Sequence, residues 1–164
     1  MRIGLRPVGP VPRKLLAELA GGLAAYGVAV DFLPGESVPA EAFDPGRHRY
    51  HAEAFLPRRE PDALAVTTAD IFTEGYDFIF GLANTGTSGA VVSVHRLIAA
   101  DPRLSLERVL KECVHELGHT WGLGHCDDPT CVMAFSSSLA ETDAKGDAFC
   151  ETCRRSLPSS VHSP

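Results

Sequence analysis

The chain has 164 residues, 15 Lys and Arg against 21 Asp and Glu, and a formal net charge of −6; 45% of residues are hydrophobic and 22% charged. These values fit one domain with a sizeable core and exclude global disorder. The acidic balance argues against a general nucleic-acid or anionic-membrane binder, which needs a basic face, and no apolar run approaches the ~18 residues of a membrane span.

Residues 3–8 read as a strand. Arg6 and Pro7 break this stretch too early for a signal-peptide core, so a cytoplasmic protein is expected. Pro12 opens a helix with Leu15, Leu16, Leu19 and Leu23 on one face and Gly27 as its stop. Residues 28–33 are β-prone and end at Pro34-Gly35, which completes a β-α-β opening and predicts a parallel sheet. Residues 36–46 read as a loop, and 47–56 as a short helix with a basic start. Apolar runs follow at 63–71 and 78–82. Residues 84–89 are turn material, and 90–94 read as an antiparallel edge strand. Ser105 is a plausible N-cap for a helix from Leu106 to about Trp121. Beyond Gly122 the chain holds Gly, Ser, Asp and four of the five cysteines, a core thin enough to need a metal. The expected organisation is a single α/β (α+β) domain over 1–164. Its sheet-and-helix part covers 1–121, and a small C-terminal part covers 122–164.

Within the second predicted helix lies His115-Glu116-Leu117-Gly118-His119. Residues four apart are about 40° apart around a helix, so His115 and His119 can aim two imidazoles at one metal. Glu116 projects about 100° away and can hold a water instead. Gly122 lets the chain turn out and bring His125 back as a third ligand. By chance the five-residue motif would occur in about one such chain in fifty, and adding Gly122 and His125 lowers this to an order of 10⁻⁴. Three neutral imidazoles leave zinc one open position, with no carboxylate ligand to favour iron. Glu116 would take the proton of the attacking water and pass it to the leaving amine, as in peptide hydrolysis.

Cys126 and Cys131 form a Cys-x₄-Cys pair, and Cys150 and Cys153 a Cys-x₂-Cys pair. Two such pairs can close a tetrahedral structural zinc site, which gives two zinc ions per chain. Cys126 directly follows His125, so this zinc is expected to anchor the segment that delivers the third histidine. Cys113 reads as a buried core thiol. On spacing alone Met133 is equally a core methionine.

From His115 the chain reads His-Glu-x₂-His-x₂-Gly-x₂-His-Cys-x₄-Cys-x-Met-x-Phe-Ser-x₆-Asp-x-Lys-x₃-Phe-Cys-x₂-Cys. This resembles the extended signature of the archaemetzincins, a branch of the metzincin zinc metallopeptidases. Met133, Phe135, Ser136, Asp143, Lys145, Phe149 and the four cysteines fall in register. The resemblance covers about a quarter of the chain. It implies a metzincin-like mixed twisted sheet with an antiparallel edge strand, an active-site helix and a small zinc-stapled C-terminal subdomain. It implies a catalytic zinc on His115, His119 and His125 with Glu116 as base, and a second zinc on Cys126, Cys131, Cys150 and Cys153. Met133 would be the Met-turn residue beneath the histidines.

In such folds the edge strand lies beside the cleft, so Ala90, Val91 and Val92 are expected to pair with an extended peptide. Ala134 and Phe135 are expected as specificity-pocket walls. Arg49, in the stretch Arg47-His48-Arg49-Tyr50-His51, is expected at the cleft rim, facing a substrate carboxylate. His95 reads as a structural histidine, and Asp143 and Lys145 as a solvated or capping pair. The expected activity is zinc-dependent hydrolysis of small peptides or flexible ends. Partners are then a peptide or protein substrate, with no nucleic acid, no membrane and a monomer favoured. The rival reading is a zinc-stabilised interaction module with an inactive peptidase centre.

Overall fold

In the computed structural model, which describes residues 1–57, 62–83 and 89–159, the first strand, β1 (Arg2–Val8), turns Ile3 and Leu5 to one face and Val8 to the other. That alternation gives the sheet two apolar faces. Helix α1 (Arg13–Ala24) covers the first with Leu16, Leu19 and Leu23, while Leu15 sits half-buried at its border. Gly27, at φ 72°, makes the left-handed turn that ends the helix. Strand β2 (Ala29–Phe32) then returns parallel to β1, as the β-α-β pattern requires.

The next stretch differs from expectation. Residues 36–46 contain a 3₁₀ turn, Ala40–Ala42, and strand β3 (Phe43–Asp44). Residues 47–56 are not a helix. They form strand β4 (Arg49–His51) and a 3₁₀ turn, Ala52–Phe55. The Asp44 carboxylate accepts from the backbone N–H of Gly46 and Arg47, and His48 takes a φ of 53°, so β3 and β4 make a hairpin. The predicted run 63–71 is split as well. Strand β5 (Ala63–Thr67) pairs with β1, and strand β6 (Ile71–Phe72) crosses to pair with β4. The tertiary pairing of β4 outweighs its local helical pattern.

Strands β7 (Gly81–Ala83) and β8 (Gly89–Ser93) complete the main sheet, in the order β2-β1-β5-β8-β7. All pairs are parallel except β7–β8. An antiparallel edge is therefore present, but it is β7 and not β8. Strand β8 is hydrogen-bonded on both sides, and Ala90, Val91 and Val92 are fully buried. No peptide can pair with them, which corrects the expectation. The turn residues 84–88 lie outside the described residues. The second face of the sheet is covered by Ala42, Ala52, Phe55 and Ile71.

Helix α2 (Pro102–Thr120) starts four residues before the predicted Leu106. Its N-cap is Asp101, whose side chain accepts from Arg103 N at 2.9 Å, with Pro102 in the first turn. Ser105 lies inside the helix and its hydroxyl accepts from Ala99 N. The helix packs beside α1, where a Cβ on Gly22 would fall within 2.5 Å of Leu110. The chain continues through α3 (Leu139–Ala144) and α4 (Glu151–Ser156). Leu123, Val132, Met133 and Leu157 join the core cluster of α1 and α2, so the C-terminal part shares one core with the sheet. Among the described residues, no helix is long and apolar enough to cross a membrane.

Candidate functional site

Helix α2 is buried on every side from Lys111 to Gly118, and within this stretch His115 faces Val132 of the C-terminal segment while Glu116 faces Gly81 of β7. Trp121 caps the helix, and Gly122 at φ 95° turns the chain back, which brings His125 over the last turn. The three imidazoles converge, with ring centroids 4.7, 5.4 and 4.9 Å apart. His115 Nδ1–H donates to the Val132 carbonyl at 2.8 Å, and His119 Nδ1–H to the Leu123 carbonyl at 2.8 Å. A carbonyl only accepts, so these bonds place the proton on Nδ1 and leave each Nε2 lone pair free. The two Nε2 atoms stand 3.1 Å apart. Two tetrahedral nitrogen ligands on zinc would be about 3.3 Å apart, so the spacing fits. Without a cation, two lone pairs would face each other there.

Burial lowers the proton affinity of all three histidines. His115 falls to about 3, through burial and then the nearby Lys145 charge, against the bond to Val132. His119 and His125 are lowered chiefly by burial as well. All three are therefore neutral ligands at pH 7. Glu116 is pushed well above the ordinary carboxylate range by burial and by Glu112, with Lys145 opposing. A Cβ on Gly81 of β7 would come within 2.5 Å of Glu116 Oε1, so a glycine on the edge strand makes room for this carboxylate.

The four cysteines form a second cluster, with ligand atoms within 4.8 Å of one another. Cys126 Sγ and Cys150 Sγ are 3.7 Å apart, far beyond a disulfide and near the ~3.8 Å of two thiolates on tetrahedral zinc. Backbone N–H groups are aimed at the sulfurs: Met133 N and Cys150 N donate to Cys131 Sγ, and Cys153 N to Cys150 Sγ. The Cys153 N–H is the main reason the Cys150 thiol is held down at about 7, while burial raises Cys131 and Cys153. Cys113 is fully buried and far from this cluster in role, its thiol raised by burial.

The clusters share backbone. Cys131 precedes Val132, whose carbonyl orients His115, and Cys126 follows His125. Cys126 N donates to the Met133 carbonyl at 2.9 Å. Met133 is fully buried with its Sδ against Gly118, between His115 and His119 on α2.

Around the histidines lies a cavity of about 280 Å³. Phe135 lines it, and its ring is 5.1 Å from His125. Ala134 is buried and is not among the lining residues, so of the two expected walls the structure brings only Phe135 to the site. Other expectations need correction. Arg49 is occupied by Asp70 and by the Asp77 carbonyl, not offered to a substrate. His48, His51 and His95 are exposed, and the His51 ring lies tilted against Phe72 with centroids 4.4 Å apart. Asp143 and Lys145 are not paired with each other. Asp143 takes a two-pronged bond from Arg108, both contacts at 2.6 Å. Lys145 is buried against Glu112 at 2.9 Å, an ion pair whose geometry falls short of a hydrogen bond. Both attach the C-terminal part to α2, a role that the spacing alone did not reveal.

Comparison with known proteins places the chain in a family. The model of peptidase family M54 matches residues 60–159. The archaemetzincin of Pyrococcus abyssi is 42% identical over 171 aligned residues, which cover 92% of this chain and 91% of that one. That of Pyrococcus horikoshii is 43% identical, covering 85% and 82%. The crystal structure of the Archaeoglobus fulgidus archaemetzincin, solved with malonate, superposes with a TM-score of 0.90 at 37% identity, over 96% of this chain and all of that one. The Methanopyrus kandleri structure gives 0.86 at 38% identity, over 99% and 97%.

Proposed function

The chain belongs to peptidase family M54, the archaemetzincins, and is a zinc metallopeptidase; on that footing we propose that it cleaves small peptides or flexible polypeptide ends at a zinc held by His115, His119 and His125. The observation that carries this is the pair of Nδ1–H bonds to backbone carbonyls, which leaves Nε2 lone pairs 3.1 Å apart beside a buried Glu116. Bound there, zinc supplies Lewis acidity for the peptide carbonyl and acidifies water toward ~7. Glu116 is the catalytic residue of the chain itself. Its carboxylate accepts the proton of the attacking water and returns it to the departing amine nitrogen. His115 and His119 stay fixed through Val132 and Leu123, so the centre needs little reorganisation.

A second zinc on Cys126, Cys131, Cys150 and Cys153 fastens the segment that carries Val132 and Met133. Four sulfurs held as thiolates suit the reducing interior of a cell, and we place the protein in the cytoplasm. The surface carries the negative balance, since two Zn²⁺ and four thiolates cancel.

Elemental analysis tests the layout. Two zinc per chain are expected in the wild type and one in His119→Ala. One zinc in the wild type, or two in His119→Ala, would contradict it.

A further inference from the structure

The cavity wall facing α2 comes from the segment between β6 and β7, which has no strand or helix of its own. Side chains outside the site hold it in place. Asp70 accepts from Arg96 Nε and Nη2, both at 2.7 Å, and from Arg49 Nε at 3.1 Å. Arg49 Nη1 also donates to the Asp77 carbonyl at 2.7 Å. The Arg96 guanidinium lies 4.3 Å over the Phe78 ring, and Phe78 meets Phe80 edge-on at 5.5 Å. One carboxylate and two arginines thus fix both the backbone and an aromatic ring of the wall. Across the opening, Tyr76 and Phe135 are each 48% exposed, 6.3 Å apart, with His125 beside Phe135. Two large rings left half in water next to the metal-binding histidines lack a cover. Among the described residues, no Lys or Arg lines this cavity.

We propose that Tyr76, Phe78 and Phe135 form an aromatic subsite for a large apolar side chain of the peptide, Phe, Tyr or Leu, next to the cleaved bond, and that Asp70, Arg49 and Arg96 are its positioning residues. This rests on the peptidase reading above. Arg96 acts in two ways: its planar fork grips both Asp70 oxygens and its face supports Phe78. Lysine keeps the charge but not the fork. Replacing Arg96 frees the wall without touching His115, His119, His125 or Glu116.

The test uses zinc-loaded wild type, Arg96→Ala and Arg96→Lys with blocked hexapeptides that differ only in Phe or Ala at the residues flanking the cut. The wild type should show a KM about tenfold or more lower for the Phe peptide. In Arg96→Ala that preference should shrink below about threefold, with zinc content and kcat for the Ala peptide kept. Arg96→Lys should lie between. An undiminished preference in Arg96→Ala, or a parallel loss on both peptides with loss of zinc, would overturn the proposal. Should the wild type cut neither peptide, the peptidase reading fails on its own. Protein-observed NMR titration with N-acetyl-phenylalanine amide and N-acetyl-alanine amide then decides the subsite. Preference for the Phe probe that is lost in Arg96→Ala supports it, and equal binding of the two probes overturns it.

Discussion

Lys145→Met should be among the most destabilising single changes in this chain, although Lys145 touches no proposed metal ligand. Its side chain is 2% exposed and faces Glu112, 5% exposed, at 2.9 Å. Removing one partner of a buried pair leaves the other charge stranded and costs about 3–5 kcal/mol. For a domain of this size that is roughly 6–20 °C in melting temperature. Burial already raises Glu112, with Lys145 as the first opposing influence. Without Lys145 the rise is larger, and a carboxyl whose folded pKa exceeds its unfolded value loses stability as pH rises. The penalty should therefore grow from acid to neutral pH. The assay is a thermal melt at fixed zinc for wild type, Lys145→Met, Glu112→Met and the double variant. The double variant removes both charges and should recover most of the loss, since paired apolar replacements are often neutral or better. A Lys145→Met cost below about 1 kcal/mol, or a double variant as unstable as the sum of the singles, would refute this reasoning.

Three further outcomes follow from the site. Cys150→Ser should weaken zinc at the histidines by about 10–100-fold, read by chelator competition, because the cysteine cluster holds Val132 and Cys126 beside two ligands; an unchanged affinity of the remaining zinc would deny the coupling. Acidification should loosen the protein and release zinc as pH falls from 6.5 toward 3. Unfolded histidine takes its proton near 6.5 while folded His115 resists to about 3, so the folded state loses ground across that window; constant melting temperature and zinc content from pH 7 to 4 would contradict it. Gly81→Ala should displace Glu116, whose Oε1 would meet the new methyl at 2.5 Å, and slow hydrolysis by about 10²-fold with both metals kept; wild-type turnover in that variant would show that Glu116 has room.

The parts legible in sequence were those written in local spacing. The i,i+4 pair His115 and His119, the Gly122 turn and the paired cysteines depend on helix geometry and short offsets, and the histidines and cysteines converge as expected. The β1-α1-β2 opening was legible for the same reason. What was missed depends on distant partners. Ala90, Val91 and Val92 looked like an edge because a polar turn precedes them, but β5 occupies their other side. Arg49, Tyr50 and His51 became strand because β3 and β6 pair with them. Lys145 and Asp143 looked solvated until Glu112 and Arg108 came to meet them from α2. Two misses did have local signals. Asp44-Pro45-Gly46 marks the β3–β4 hairpin, and Asp101-Pro102 is a stronger helix start than Ser105.

The central claim is that peptide hydrolysis at the histidine centre depends on the Glu116 carboxylate. Turnover of a mixed peptide pool by wild type and Glu116→Gln, each first shown to hold the same zinc content, tests it most directly. Cleavage by the wild type and a loss of about 10²–10⁴-fold in Glu116→Gln are predicted. Equal turnover by the two proteins, or no cleavage by a fully zinc-loaded wild type, would contradict the account.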